Sequence, residues 1–382
     1  MTASLLILGD FCLENSGTPV LSPELQNMMD DCDFVSVNLE GPVRCDAEPA
    51  LKVGPHLMQD SETISLLRGW GVNMLALANN HIMDYGTEGL RETLLSTKEF
   101  ICVGAGLNFD DVYSYTVREV SGIRIAFAAF SEAQFGVLLD EEGSFGGTGY
   151  SWIGHPQARH LIRRAREEAD IVILQAHAGL ESVHIPLPEW RSCYREFIDM
   201  GADIVIGHHP HVVQGQELYK GKYIYYSLGN MYMDRSFATK DQCAGGGVVV
   251  NISENNELKT QWVNIRSEKH QISIDKTSEA QASFEHATYI LRDGQAYRRE
   301  VAVICDQFWE KYYSRYYEKA LNGFGIDVRF LGGLRFIKQI AKKVLPKYDD
   351  GHKENALMLI HNVQIESHRW VVQRALYKIV GS

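Results

Sequence analysis

The chain has 382 residues, 45% hydrophobic and 23% charged, the balance of an ordinary globular protein large enough for one sizeable α/β domain with an appendage or two unequal domains. Its formal net charge of -12 sets up a long-range field that repels nucleic acid and anionic membrane surfaces, so a phosphate-bearing substrate needs a local cationic feature such as a metal ion. Seven cysteines stand singly with no Cys-x-x-Cys pair, and no run reaches the roughly 18 apolar residues of a membrane helix, which together read as a reduced, cytoplasmic protein without a transmembrane segment.

In chain order, MTASLLILGDF has no basic n-region and runs straight into an apolar strand over Leu5 to Leu8, so no signal peptide is expected. That strand is followed by Gly9 and Asp10. A second, Phe34 to Val37, leads to Asn38 and Glu40. Helical spacing between Ser61 and Trp70 precedes a third strand, Asn73 to Ala78, which leads to Asn79, Asn80 and His81. Alternation from Val112 to Phe130 about Ser121 and Gly122 predicts a hairpin. Strands over Ile171 to Leu174 and Ala202 to Ile206 lead to His177 and to GHHPH, Gly207 to His211. A second hairpin is expected from Gly245 to Ile265, and the polar stretch from Ser267 to Ala282 reads as a linker or exposed excursion. From Val301 the pattern turns helical, aromatic and basic, with FWEKYYSRYYEKAL and FIKQIAKKVL as a packed amphipathic pair. Val301 to Ser382 carries 13 Lys and Arg against 8 Asp and Glu, or +5, leaving -17 for the rest, so this terminal segment has its own role or docking surface.

Strands alternating with helices predict an α/β architecture, and ligands of such sheets bind beyond the carboxyl ends of strands. Five strand ends carrying polar side chains can therefore build one site. In GHHPH, alternate histidines leaving a strand can aim at one centre; the alternative is a surface turn with incidental histidines. Taken alone, His177 reads more often as a satisfied structural histidine than as a ligand, Asp10 can merely cap or turn the chain, and Asn80 can belong to an Asn-rich turn. Glu40 is harder to place structurally, because a buried carboxylate is costly without a cation or donor. Asp84, three residues after His81, is positioned to orient that ring. Asp10, Glu40, Asn80, His177, His209 and His211 offer oxygen and nitrogen without thiolate, a set suited to two divalent metal ions, Mn, Fe or Zn, bridged by a carboxylate.

GD at Gly9 and Asp10, VNLEGP from Val37, LANNHIMDYG from Leu77, VGAGLN from Val103, HAGLE from His177, GHHPHVVQG from Gly207 and YSLGNMYMD from Tyr226 resemble the ordered motifs of the CapA family of capsule and poly-γ-glutamate synthesis (PGA_cap). The resemblance spans about the first 265 residues. It implies the four-layer αββα sandwich of calcineurin-like metallophosphoesterases over residues 1–270, with a linker and helical C-terminal extension over 271–382. It also implies roles: Asp10, His211 and bridging Glu40 around one metal, and Asn80, His177 and His209 with Glu40 around the other. His81 is then the general acid or oxyanion donor, His208 stands beside the ligands, and Glu181 anchors the site or substrate. Three departures accompany these implications. Cys12 replaces the histidine that wider phosphoesterases place two residues after the aspartate, HAG replaces HWG at Ala178, and the membrane anchor of poly-γ-glutamate assembly members is not seen.

Two functions follow as expectations. One is a metal-dependent hydrolase of a phosphoester or amide bond in a capsule or exopolymer, poly-γ-glutamate-like or polysaccharide. The other is a non-catalytic assembly factor that binds polymer or a biosynthetic protein partner through the C-terminal helices. A nucleic-acid phosphoesterase is disfavoured by the acidic charge.

Overall fold

Apolar runs too long to be left in water place the strands at the centre of the molecule. The computed structural model describes residues 2–14, 17–143, 145–234, 241–323 and 350–380. Ala3–Cys12, Phe34–Leu39, Met74–Ala76 and Ile101–Val103 lie parallel in a nine-stranded sheet. Ala244–Ile252, Leu258–Glu268 and Gln271–Ile274 extend it antiparallel from the other side of Ala3–Cys12, with Val20–Leu21 at the edge. Asn230–Met233 also pairs with the end of Ala3–Cys12. A six-stranded sheet holds Ile123–Ser131, Ile171–His177, Ile204–His208 and Lys222–Tyr225 in parallel, flanked by antiparallel Thr116–Val120 and Gln216–Tyr219. A third sheet, of three short strands, joins Ala105–Gly106, Gly149–Ser151 and Val137–Leu138.

The two large sheets face one another. Phe34 and Phe127 stack across the interface with centroids 4.9 Å apart, and Gln175 Nε2 donates to Ser36 Oγ at 2.8 Å. Each large apolar side chain buried this way contributes about 1.5–3 kcal/mol. Pro156–Glu168 and Pro188–Met200 cover the six-stranded sheet, burying Leu161 and Ile162 from one helix and Trp190, Tyr194 and Phe197 from the other. Both begin with proline at the first turn, where its missing N–H costs nothing. Pro23–Asp30, Thr63–Gly69 and Gly86–Ser96 bury Leu25, Leu67 and Leu90 in the core of the nine-stranded sheet. The architecture is the αββα sandwich that the motifs imply. Both expected hairpins form; the first turns at Ser121 and Gly122, each with positive φ.

The stretch read as a linker or exposed excursion holds a strand and the start of a helix. Gln271–Ile274 adds a strand whose Ile272 is fully buried, and Thr277 caps Ser278–Arg292 by accepting from Ala280 N at 3.3 Å. Phe284 on that helix stacks on Trp262 with centroids 4.1 Å apart. A four-residue strand is too short for its alternation to register in sequence.

Two compact units divide the chain: Met1–Ala50 with His56–Arg298, which holds the sheets, and Leu51–Pro55 with Arg299–Ser382. Within the second, Ser314–Gly323, Asp350–Gln364 and Glu366–Ile379 are helical, and Tyr317 Oη donates to the Asn362 carbonyl at 3.1 Å. The FIKQIAKKVL stretch lies outside the described residues. No helix among the described residues is long and apolar enough to cross a membrane.

Candidate metal centre

Five of the parallel strands, from both large sheets, deliver the residues at their carboxyl ends to one cleft. Asp10 leaves Ala3–Cys12 at a register shift against both neighbours, an irregularity that re-aims a side chain, and it lies beside Asn38 and Asn230 in the sheet. Gly9 makes this approach feasible: a Cβ there would sit 2.1 Å from the Gly229 carbonyl oxygen, whose acceptance of the Asp10 N–H at 3.0 Å fixes the strand end. On the opposite sheet His177 lies in register with His208. The chain then turns through His209 and His211, whose φ values of 95° and 58° are left-handed and cost about 1–3 kcal/mol each for a side chain with Cβ. His209 N donates to Asp10 Oδ2 at 3.1 Å, a bond between the two sheets that helps hold the strained turn.

Six residues expected as ligands converge and are buried. Asn80 Oδ1 lies 2.9 Å from His177 Nε2, which lies 3.1 Å from His209 Nδ1. Ligand atoms about 2.0–2.2 Å from a common cation stand roughly 3–3.4 Å apart, and the two separations about His177 Nε2 are close to that range. Asp10, Glu40 and His211 form a second set, each offering an atom within 4.8 Å of the others. Between the sets stands Glu40 Oε1, 3.6 Å from His211 Nε2 and 3.9 Å from both His177 Nε2 and His81 Nε2. Exposed Glu181 approaches from solvent and groups with His209 and His211 within the same 4.8 Å.

The remaining expected residues surround this centre. His81 Nδ1 lies 2.7 Å from Asp84 Oδ2, which also accepts from Leu57 N at 2.7 Å, so the opposite ring nitrogen faces Glu40. His208 directs its nitrogens to Asp10 Oδ1 at 3.1 Å and Gln175 Oε1 at 3.0 Å, steadying the carboxylate from behind. Cys12 is buried past Asp10 and belongs to neither candidate group among the described residues. Buried Ala178 stands where the longer tryptophan would be.

Charge follows from this packing. Burial pushes the Asp10 carboxyl up, but His208, His211 and the His209 N–H together outweigh it and hold the group below its ordinary range, ionised. Burial and neighbouring imidazoles drive His177 well below its ordinary value, and burial takes His209 down to about 4, so both rings are neutral, as metal ligands must be. For His211 burial is outweighed by Glu40, Asp10 and Glu181, and its pKa rises. Buried carboxylates beside neutral imidazoles and amide oxygens suit divalent cations, and the residues present fit such a group.

Sequence reading did not single out four residues that orient the centre. Asn38 Nδ2 donates to Asp10 Oδ1 at 2.8 Å and lies 3.3 Å from His177 Nδ1. Asn230 Oδ1 is 3.0 Å from His211 Nδ1, Gln175 holds His208, and Glu132 Oε1 lies 3.4 Å from His209 Nε2. A signal existed for Asn38, two positions before Glu40, since that spacing along a strand returns to the same face. Glu132 stands outside every quoted motif.

The profile of the family described as bacterial capsule synthesis protein PGA_cap matches residues 13–235. The capsule biosynthesis protein CapA of Bacillus anthracis is 34% identical over 232 residues, 58% of this chain and 54% of that protein. The PGA biosynthesis protein CapA of Bacillus subtilis strain 168 is 31% identical over 242 residues, 60% of each chain. The matches thus span a little over half the length of these relatives. A 5'-nucleotidase from Candida albicans SC5314 superposes with a TM-score of 0.41 at 10% identity, over 78% of this chain and 58% of that one.

Proposed function

Since the chain belongs to the bacterial capsule synthesis PGA_cap family, we propose that it is a metal-dependent hydrolase acting on a phosphoester or amide bond in a capsule or exopolymer. The observation that carries this reading is the placement of Glu40 Oε1 between two donor sets, with His211 on one side and His177 on the other. Asp10, Glu40 and His211 would hold one divalent cation, and Asn80, His177 and His209 with Glu40 the second, as Mn, Fe or Zn. Bound there, the pair would supply Lewis-acid charge and acidify an attacking water.

The chain's own groups supply the rest. With Asp84 accepting the Nδ1–H, a doubly protonated His81 would present Nε2–H to the cleft, where it would give that proton to the leaving oxygen or nitrogen or donate a hydrogen bond to the developing negative charge. Asn38, His208 and Asn230 keep Asp10 and His211 in place, so the donors need no reorganisation on binding. Glu181 at the solvent side anchors the site or positions substrate. The basic C-terminal helices would dock a biosynthetic protein partner.

The test loads the purified chain with Mn²⁺ or Zn²⁺, measures bound metal, and assays phosphodiester and γ-glutamyl amide substrates. Two equivalents, with cleavage lost in His209→Ala, support the reading. No bound metal and no cleavage of either substrate overturns it in favour of a non-catalytic assembly factor, the reading that Cys12 favours, while cleavage indifferent to His209→Ala overturns the assignment of the reaction to this centre.

A further inference from the structure

His209 is the most constrained residue of the cleft. Its φ is 95°, its N–H is committed to Asp10, and its Nδ1 faces His177 Nε2 at 3.1 Å. The other ring nitrogen, Nε2, is approached by two side chains from beside the strand end that carries Glu132. It lies 3.4 Å from Glu132 Oε1 and 3.4 Å from Gln134 Nε2. Glu132 follows directly on Ile123–Ser131, its N–H donating to the His177 carbonyl at 3.1 Å, so the strand next to His177 places it. Its side chain is fully buried, and Oε1 accepts from Gln134 Nε2 at 3.3 Å and Gly179 N at 3.4 Å.

Gln134 Nε2, a donor, lies as near to His209 Nε2 as Glu132 does, but it already donates to Glu132 Oε1. The two nitrogens thus converge on one buried acceptor oxygen, and a carboxylate, which only accepts, favours a ring carrying its proton on Nε2. The lone pair is then on Nδ1, facing His177 Nε2. We propose that Glu132 is a positioning residue that fixes the Nε2–H tautomer and ring orientation of His209, preparing Nδ1 to ligate a divalent cation. A ring on a strained turn has no regular element to hold its rotation, and a buried acceptor at the far nitrogen supplies that restraint. Gln134, bonded to the same oxygen, holds the acceptor in turn. The inference rests on the reading of His209 as a ligand.

Two measurements on the full chain test it. In the metal-free protein labelled with ¹⁵N-histidine, long-range ¹⁵N–¹H correlation reads the His209 tautomer, the signals being assigned by their loss in His209→Gln. Wild type is expected to carry the proton on Nε2 alone, Glu132→Ala to show mixed tautomers, and Glu132→Gln, which keeps an acceptor oxygen, to restore the wild-type pattern. Mn²⁺ titration should show Glu132→Ala weakened about 10–100-fold and Glu132→Gln close to wild type. An unchanged tautomer in Glu132→Ala, or equal Mn²⁺ loss in both variants, overturns the proposal. If Glu132→Ala does not fold, Glu132→Asp takes its place, with mixed tautomers supporting the idea and the wild-type pattern refuting it. If wild type binds no Mn²⁺, the hydrolase reading fails while the tautomer spectra still decide the role of Glu132.

Discussion

Two acidic clusters of this fold are neutralised in opposite ways. At Glu217, on the edge strand Gln216–Tyr219, Arg191 approaches with Nε at 3.0 Å and Nη2 at 3.2 Å, Arg195 bonds the same carboxylate, and Tyr226 Oη donates at 2.7 Å. Arg191 also lies over the Tyr297 ring, 4.9 Å from its centroid. At the cleft, Asp10 and Glu40 are approached by imidazoles, two of which, His177 and His209, are held neutral by burial. A guanidinium carries its full charge at every physiological pH, whereas a neutral imidazole offers only a lone pair or one N–H. The first cluster is complete as folded; the second has the buried carboxylates and neutral rings of a candidate metal site.

Removing charge from each cluster tests that contrast most strongly. Glu40→Gln should lower Mn²⁺ or Zn²⁺ affinity by on the order of 100-fold or more, yet leave the metal-free protein as stable as wild type or more so, because a buried carboxylate has gone. Isothermal titration and urea denaturation of the metal-free form read the two halves. Should Glu40→Gln unfold as readily as a variant at Glu217, the cleft is a structural ion-pair network and the comparison breaks.

The pH dependence of the metal-free protein comes next. The folded pKa of His209 is about 4 against an ordinary 6.5, and that of His177 is also depressed, so below 6.5 the unfolded chain binds more protons than the folded one. Stability should therefore fall as pH drops from 6.5 toward 4, by on the order of 3 kcal/mol for His209 alone. The raised pKa of His211 acts in the other direction, its contribution being lost as pH rises through the folded value. Denaturation midpoints taken across this range should flatten in His209→Gln, and an equally steep slope in that variant would sink the assignment. Glu217→Gln should cost about 2–3 kcal/mol, since it leaves two guanidiniums less well satisfied, and should not move cation affinity.

Sequence and structure part company along the same line. Asp10, Glu40, Asn80, His177, His209 and His211 were legible because each follows an apolar run, and a parallel sheet sends all such ends to one side. Asn38 also follows an apolar run and was noted there, but its role, like those of Asn230, Gln175 and Glu132, emerges only from the side chain that the fold sets opposite it. The Glu217 cluster was equally hidden: Arg191 and Arg195 belong to Pro188–Met200, where charges at helical spacing read as an exposed face. Gln271–Ile274 lies in the stretch read as a linker or exposed excursion because pairing with Leu258–Glu268, not its own composition, makes it a strand.

The smallest effect measures how saturated the Glu217 cluster is. Burial and then Glu217 push the Tyr226 phenol well above its ordinary pKa, so it stays protonated and donates throughout the accessible range. Burial would raise the Glu217 carboxyl, but hydrogen bonds from Arg191, Arg195 and Tyr226 outweigh it and hold it below its ordinary value. Its stabilising contribution is thus present above the unfolded pKa and is lost as pH falls through the folded one. Tyr226→Phe keeps the stack on Tyr194, with centroids 5.6 Å apart, and removes one neutral donor from a carboxylate that retains two guanidiniums. The cost should be about 1 kcal/mol in urea denaturation at neutral pH, with the acid transition moving to slightly higher pH. A loss as large as that of Glu217→Gln would mean that the hydroxyl, and not the arginines, satisfies Glu217, and the two clusters would then differ less than their geometry implies.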